Sequence, residues 1–228
     1  MTQSTAREST RERLVAAAYD LFDERGYDAT TVDAVAERAG VGRTTFFRAF
    51  RSKDDVVLPD HDAVLARVGA RLDAVPSGAG ATAVATAASE AAHLVLDHYL
   101  TEGDRARARY RLTRTVPSLR QREVAGLQAY QRVFREFFRG RVGDGESGEV
   151  RAEVLAAGVV TAHNHVLRRW LRAEPGDPVA ALDRALADVL RMFAPPRPSR
   201  TRVVVLETPD DVDDLEEVVR SVRSALEP

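Results

Sequence analysis

Between Gly40 and Lys53 lie four cationic side chains, Arg43, Arg48, Arg51 and Lys53, with no acid among them. They are interleaved with Thr44, Thr45, Phe46, Phe47 and Phe50. A guanidinium can bond a guanine edge through two parallel donors, and Arg, Lys and Thr all bond phosphate oxygens. Phe46 and Phe50 are four apart and share one helical face, so they read as core anchors. Arg43, Thr44, Thr45, Phe47 and Arg48 are left on the opposite face. The chemistry on offer is recognition of a polyanion.

Bond-making chemistry finds less support. The chain has no Cys, which excludes a disulfide framework, a thiolate metal site and a Cys nucleophile. Glu90 and His93 have the E-x-x-H spacing of di-iron bundles, but that site needs a second such motif, and the chain has no second copy. His163 and His165 are two apart, so on a helix they diverge by about 200° and make a poor metal pair. No Gly-rich loop matches a phosphate-binding fingerprint and no serine sits in a nucleophile elbow. The expectation is a protein without enzymatic activity, metal or cofactor.

The cationic stretch needs elements to position it. Thr31 is a good N-cap, and Val32, Val35, Ala36 and Ala39 then recur at helical spacing with Asp33 in the favoured first turn. Gly40 closes that helix, Val41 plugs the turn, and Gly42 stands where the next helix, Arg43 to Phe50, is capped. Ser52 caps a further helix with Asp54 and Asp55 in its first turn. Ahead of these, Thr10 to Arg25 forms a helix with Leu14, Ala17, Ala18, Leu21 and Phe22 on one face. Thr10 and Arg13 do not complete a capping box. Gly26 ends this helix, and Tyr27 packs back on it. Two short helices joined by a tight turn are a helix-turn-helix, which lays its second helix in the major groove.

The run from Arg11 to Leu58, with AAAYDLFDERGYDATTVDAVAERAGV, the second helix and F-R-S-K-D, resembles the DNA-binding domain of the TetR family of transcriptional regulators. The resemblance implies a homodimer of nine or so helices per chain. Helices 2 and 3 would lie on double-stranded operator DNA, and a small-molecule pocket in the C-terminal domain. It places Thr31, Arg43, Thr44, Thr45, Phe47, Arg48 and Lys53 at positions that touch DNA. The sequence departs from the family pattern at two positions. Phe47 replaces a common Tyr whose hydroxyl bonds a phosphate, at a cost of ~1 kcal/mol. Ala49 replaces a common aromatic.

The remaining 170 or so residues read as alternating helices with short loops and no clear strand periodicity. The fold class is all-α: an N-terminal three-helix helix-turn-helix domain (residues 1–58), a helical ligand-binding and dimerisation bundle (59–195) and a C-terminal extension (196–228). Residues 1–9 read as an arm that is either disordered or brushes the minor groove. Pro59 either kinks a helix or precedes a helix start at Asp60. Expected helices run from 81 to 100, 105 to 115, 118 to 139, 149 to 172 and 178 to 193, with a polar Gly-rich loop over 140–148. The last two are apolar on more than one face, through Val154, Leu155, Val159, Val160, Leu167 and Leu171, then Leu182, Leu186, Val189, Leu190 and Phe193. Such helices must be buried on all sides; the family resemblance supplies a four-helix dimer interface. In the extension, Val203 to Leu206 is the best strand candidate. Thr208 caps a last helix to about Leu226, which either docks on the bundle or partner or is separately tethered.

The 228 residues are 44% hydrophobic and carry a net charge of −2. The global balance gives no hint of nucleic-acid binding, but a docking face needs only local positive charge. A polar N-terminus and the lack of a long apolar run predict a cytoplasmic protein without membrane association. A sensor domain needs a largely apolar cavity with a few polar groups. Candidates on otherwise buried faces are His98, Tyr99, Tyr110, Thr113, Tyr130, Phe134, Thr161, His165 and Trp170, with Thr161 and His165 one turn apart and so facing one cavity. The resulting expectation is a transcriptional repressor released from its operator by a largely apolar small molecule. The alternative is a DNA-binding activator or architectural factor without an effector.

Overall fold

A computed structural model describes residues 9–58 and 61–192, and residues 219, 220 and 222. The chain divides into two compact units, residues 1–194 and 195–228. In the first unit run ten described helices. They are α1 (Thr10–Arg25), α2 (Val32–Arg38), α3 (Arg43–Ala49), α4 (Lys53–Val57), α5 (His61–Asp73), α6 (Ala81–Glu102), α7 (Asp104–Thr115), α8 (Pro117–Phe138), α9 (Gly145–Leu171) and α10 (Pro178–Met192). No strand occurs among the described residues. The arm over residues 1–8, the Pro59 kink, the Val203–Leu206 strand and nearly all of the last helix lie outside them.

Caps set the frame of the N-terminal helices. α1 is capped by Ser9, whose hydroxyl accepts from the Glu12 amide while the Glu12 carboxylate takes the Ser9 amide. The cap is thus Ser9, not Thr10, and the box closes with Glu12, not Arg13. Ser52 and Asp55 form a second box at α4. Thr31 caps α2 through the Ala34 amide at 3.2 Å, and Gly42 caps α3 with no side-chain bond. Gly26, at φ 86°, turns the chain out of α1 in a conformation few other residues adopt. Tyr27 then packs on Phe22 with ring centroids 5.1 Å apart.

These caps let one small core close. Leu14, Ala18, Val35 and Phe46 are wholly or almost wholly buried in it, with Phe50, Val56 and Val57 around them. Arg11 ties α1 to the end of α3: its guanidinium donates to the Ala49 carbonyl at 2.9 Å and lies 4.3 Å from the Phe50 ring centroid. This core does not stop at α4. Leu119 of α8 is buried within it, and Leu112 and Val116 pack against it. An ion pair from Arg122 to Asp55 at 2.5 Å joins α8 to α4. The helix-turn-helix therefore rests on the α7–α8 corner of the bundle.

The second core belongs to the bundle α5–α10, with α9 at its centre. Here the expected 140–148 loop is corrected, because the helix already begins at Gly145. The reason lies in Gly148. It is buried in the first turn of α9 against the backbone of Gly143, and a Cβ there would overlap the Gly143 carbonyl. Gly148→Ala is expected to lower stability by ~1–3 kcal/mol, since backbone must move to admit the methyl. At an unobstructed helix position the same change would stabilise by ~1 kcal/mol, so a raised melting temperature would contradict this packing.

Candidate nucleic-acid interface and internal cavity

α3 presents its predicted face outward. Arg43, Thr44 and Arg48 are exposed, Thr45 is half-buried, and Phe47 is 44% exposed while its neighbour Phe46 is fully buried. The two rings meet edge to face at 5.4 Å, so the core ring holds the surface ring in place. Arg43 lies 5.2 Å from the Phe47 ring centroid and donates to both carboxylate oxygens of Asp33 at 2.6 and 2.5 Å. Both partners of that pair are well exposed, so it costs little to exchange for another anion. Thr31 is exposed at the N-terminus of α2.

Lys53, which the family resemblance places at a position that touches DNA, is also engaged within the fold. Its ammonium donates to the carbonyls of Tyr27 at 2.7 Å and Thr30 at 2.9 Å, and sits 4.0 Å from the Tyr27 ring centroid. Burial pulls its pKa below the usual Lys value. Two of its three N–H donors hold the α1–α2 loop, leaving one for any other partner. The Tyr27 hydroxyl donates in turn to Asp54. Lys53 is thus first a clamp between α4 and the loop ahead of α2.

The bundle holds a partly open cavity of about 80 Å³. Ala92, Val95 and Tyr99 of α6 form one wall, and Ala106, Arg109, Tyr110 and Thr113 of α7 another. Glu123, Leu127, Tyr130 and Phe134 of α8 face Val159, Val160, His163 and Leu167 of α9. Leu58, just past α4, also lines it. Of the nine sequence candidates, Tyr99, Tyr110, Thr113, Tyr130 and Phe134 come together here. His98, Thr161, His165 and Trp170 do not. Thr161 and His165 are exposed on α9, while His163 and Asn164 line the cavity in their place. His98 lies 3.9 Å from Glu102, and Trp170 is covered by the Arg107 guanidinium at 4.8 Å. The two members of the E-x-x-H pair engage different partners: Glu90 pairs with Arg71, and His93 with Asp183 at 3.1 Å.

Five polar residues outside the nine candidates line the cavity, Arg109, Glu123, His163, Asn164 and Arg168, and of these Arg109 and His163 are buried. Arg109 is buried on a helix whose other arginines read as a solvated face. It pairs with Glu102, which the α6–α7 turn brings back seven residues earlier, and lies 5.1 Å from the Tyr99 ring centroid. Burial opposes its charge, but the Glu102 bond and the Tyr99 and Tyr19 hydroxyls more than offset that and raise its pKa. Tyr19 of α1 donates to the Val57 carbonyl at 3.2 Å, and burial pushes its hydroxyl up to about 12. A polar chain therefore runs from the cavity wall through Arg109 and Tyr19 to the end of α4.

His163 is buried, its Nδ1 is 3.3 Å from the Asn164 side-chain oxygen, and its Nε2 has no hydrogen-bond partner. Burial brings its pKa down to about 4, with His93 adding to the effect and Asn164 opposing it. A His whose folded pKa lies below its unfolded value of ~6.5 destabilises the fold in acid. The unfolded chain takes up a proton near pH 6.5 that the native state refuses until about pH 4. Stability is expected to fall across that window by up to roughly 3 kcal/mol. Urea titrations of the native chain and of His163→Phe between pH 7 and 4 check this; equal pH slopes in the two would contradict it.

The fold and the α3 face define a helix-turn-helix DNA-binding protein carrying an α-helical bundle. Residues 14–58 match the bacterial regulatory proteins of the tetR family, and residues 82–194 match the MftR C-terminal domain. The chain belongs to the TetR family of transcriptional regulators. It is 34% identical over 88 residues to YdeS, an uncharacterized HTH-type transcriptional regulator of Bacillus subtilis, and spans 43% of that protein's length. It is 26% identical over 179 residues to MftR of Mycobacterium tuberculosis, a regulator whose name carries a provisional link to mycofactocin biosynthesis; this match covers 78% of the chain and 88% of MftR. Among solved structures, SmeT in complex with triclosan, from Stenotrophomonas maltophilia, superposes with a TM-score of 0.53 at 20% identity, covering 78% of this chain and 90% of SmeT. Among the described residues no helix is long and apolar enough to cross a membrane.

Proposed function

We propose that the protein is a repressor that binds operator DNA as a homodimer and is released by a small molecule held in the bundle cavity. In this division of labour residues 1–58 read DNA, 59–195 sense and dimerise, and 196–228 extend the chain. The observation that carries the reading is the position of Leu58. It caps α4 of the helix-turn-helix, whose Val57 is part of the N-terminal core, and is itself a wall of the cavity. Whatever fills the cavity presses on the DNA-binding domain.

The cavity's size gives the mechanism its direction. An 80 Å³ space is about half that of an engineered cavity that takes up benzene, ~150 Å³. A larger occupant drawn fully inside spreads α6–α9, and Leu58 with them. A ligand shifts the equilibrium only through its unequal affinity for the closed and spread forms. SmeT, of similar fold, has been solved with triclosan, which accords with a small-molecule occupant here.

Dimerisation rests on the outer stripe of α9. Val150, Val154, Thr161 and His165 are exposed at spacings that place them on one face, and Val179 of α10 is exposed as well. Thr161 and His165, first read as cavity residues, fall on this stripe. Two copies related by a two-fold axis would present α3 to successive major grooves.

The test is a fluorescence anisotropy titration against a duplex selected from a randomised pool, repeated with compounds that raise the protein's melting temperature. Release of the duplex by such compounds is the expected result. Compounds that stabilise the wild-type chain, lose that effect when Phe134→Trp fills the cavity, and yet leave DNA affinity unchanged would contradict the proposal.

A further inference from the structure

Arg109 is an unusual wall for an apolar cavity. Its side chain is 6% exposed, whereas Arg105, Arg111 and Arg114 on the same helix are at the surface. Its counter-ion, Glu102, is not part of the cavity wall; it reaches the guanidinium from the last turn of α6 and keeps 20% side-chain exposure. A buried ion pair stabilises a fold little better than well-packed apolar residues would. A cation kept in this wall is better explained by what it recognises.

The charge inventory of the cavity points the same way. Among the described residues its charged walls are Arg109 and Arg168 against Glu123, and His163 is uncharged at neutral pH. Once Glu102 is withdrawn, the wall carries an excess positive charge. Tyr99, beside the guanidinium, adds a hydroxyl at the same end. Arg holds a planar carboxylate through two parallel donors, a geometry Lys cannot reproduce.

The cavity also has length. Ala92, Val95 and Tyr99 of α6 all line it, with Arg109 beside Tyr99. Seven residues of helix separate Ala92 from Tyr99, roughly 10 Å at the α-helical rise.

We propose that the effector is an amphipathic acid. Its anionic head takes over the bond from Glu102 to Arg109, and its apolar body extends along α6 towards His163. The released Glu102 carboxylate remains beside His98 on its own helix. The head group also arrives next to Tyr19, whose hydroxyl holds the end of α4, so the polar end of the ligand sits where the bundle meets the DNA-binding domain. This proposal rests on the reading that the cavity is the effector site.

A matched pair of probes, 4-phenylbutyrate and 4-phenyl-1-butanol, tests it by isothermal titration calorimetry on the full chain. The acid is expected to bind the wild type about tenfold or more tightly than the alcohol, the advantage of a charge-assisted bond over a neutral one. Arg109→Met is expected to erase the preference while still binding the alcohol. Glu102→Gln, which removes the competing carboxylate and keeps the cation, is expected to strengthen binding of the acid alone. Equal binding of both probes to the wild type overturns the proposal. So does a preference that survives Arg109→Met, or a Glu102→Gln chain with an unchanged acid-to-alcohol ratio. Binding of neither probe overturns the cavity reading itself and this proposal with it; binding of both without preference overturns only the acid.

Discussion

Phe46→Ala is expected to cost roughly 3–5 kcal/mol, the range for truncating a fully buried aromatic side chain. Phe46 is 0% exposed, packs against Phe50 at 5.8 Å and supports the outward Phe47 ring at 5.4 Å. Nothing near it can collapse cheaply. α3 is seven residues long and has no side-chain cap at its N-terminus, so its order depends on its core anchors, of which Phe46 is the one within the helix. A loss of that size is a large share of the stability of a single domain. The α1–α4 core would melt at a lower denaturant concentration than the bundle, and DNA binding would go with it. Denaturation followed by hydrogen exchange in α1–α3 reads the effect. Phe47→Ala is the companion: its ring is half outside, so stability should change by less than ~1 kcal/mol. Equal losses in the two variants would mean the α3 face has been assigned the wrong way round.

The second large effect separates the two ends of the cationic stretch. Arg48 is exposed and makes no hydrogen bond or ion pair among the described residues. Arg48→Ala should leave stability within about 0.5 kcal/mol and weaken DNA binding by ~1–3 kcal/mol per protomer if the guanidinium reads a base. If it holds a phosphate instead, affinity should fall on every sequence and the salt slope should shrink by about one. Lys53→Met should behave in the opposite way. Its ammonium secures the Tyr27 and Thr30 carbonyls, and both would be left under-satisfied. Loss of stability with a modest change in DNA affinity is expected there. Melting curves paired with anisotropy titrations on the same preparations distinguish the two residues.

The contrast shows where the sequence was informative. The starts of α2, α3 and α4 were legible to the residue because caps and short apolar periods are local: Thr31, Gly42 and Ser52 each announce a helix start, whereas α3 ends at Ala49, one residue short of the expected Phe50, which is already extended. Ser9 was read one position late because Thr10 is an equally good cap by type, and only the reciprocal bond with Glu12 decides between them. The start of α9 was hidden for a similar reason. Gly145 and Gly148 look like loop residues, and the close approach of Gly143 that makes Gly148 necessary is a tertiary fact.

The cavity was legible in part. Tyr99, Tyr130 and Phe134 stand at helical spacing with apolar neighbours, so composition placed them inside. α9 defeated the same logic because it is apolar on two faces. Periodicity alone does not say which face meets the cavity and which is left outward, and the choice fell on Thr161 and His165 instead of His163 and Asn164. Arg109 was invisible for a different reason. In an arginine-rich helix one buried guanidinium looks like the rest, and its counter-ion Glu102 belongs to the helix before the turn.

In the proposed function an outward cationic α3 meets duplex DNA under the control of the bundle behind it. A double titration measures this directly: anisotropy of a selected duplex against protein, for the wild type and for an Arg43→Ala, Arg48→Ala double variant, at several salt concentrations. Tight, salt-dependent binding by the wild type is expected, with a loss of at least about a hundredfold in the double variant and unchanged helical content and melting temperature. Equal affinity of the two proteins, or no attraction of the wild type to any duplex, would contradict it.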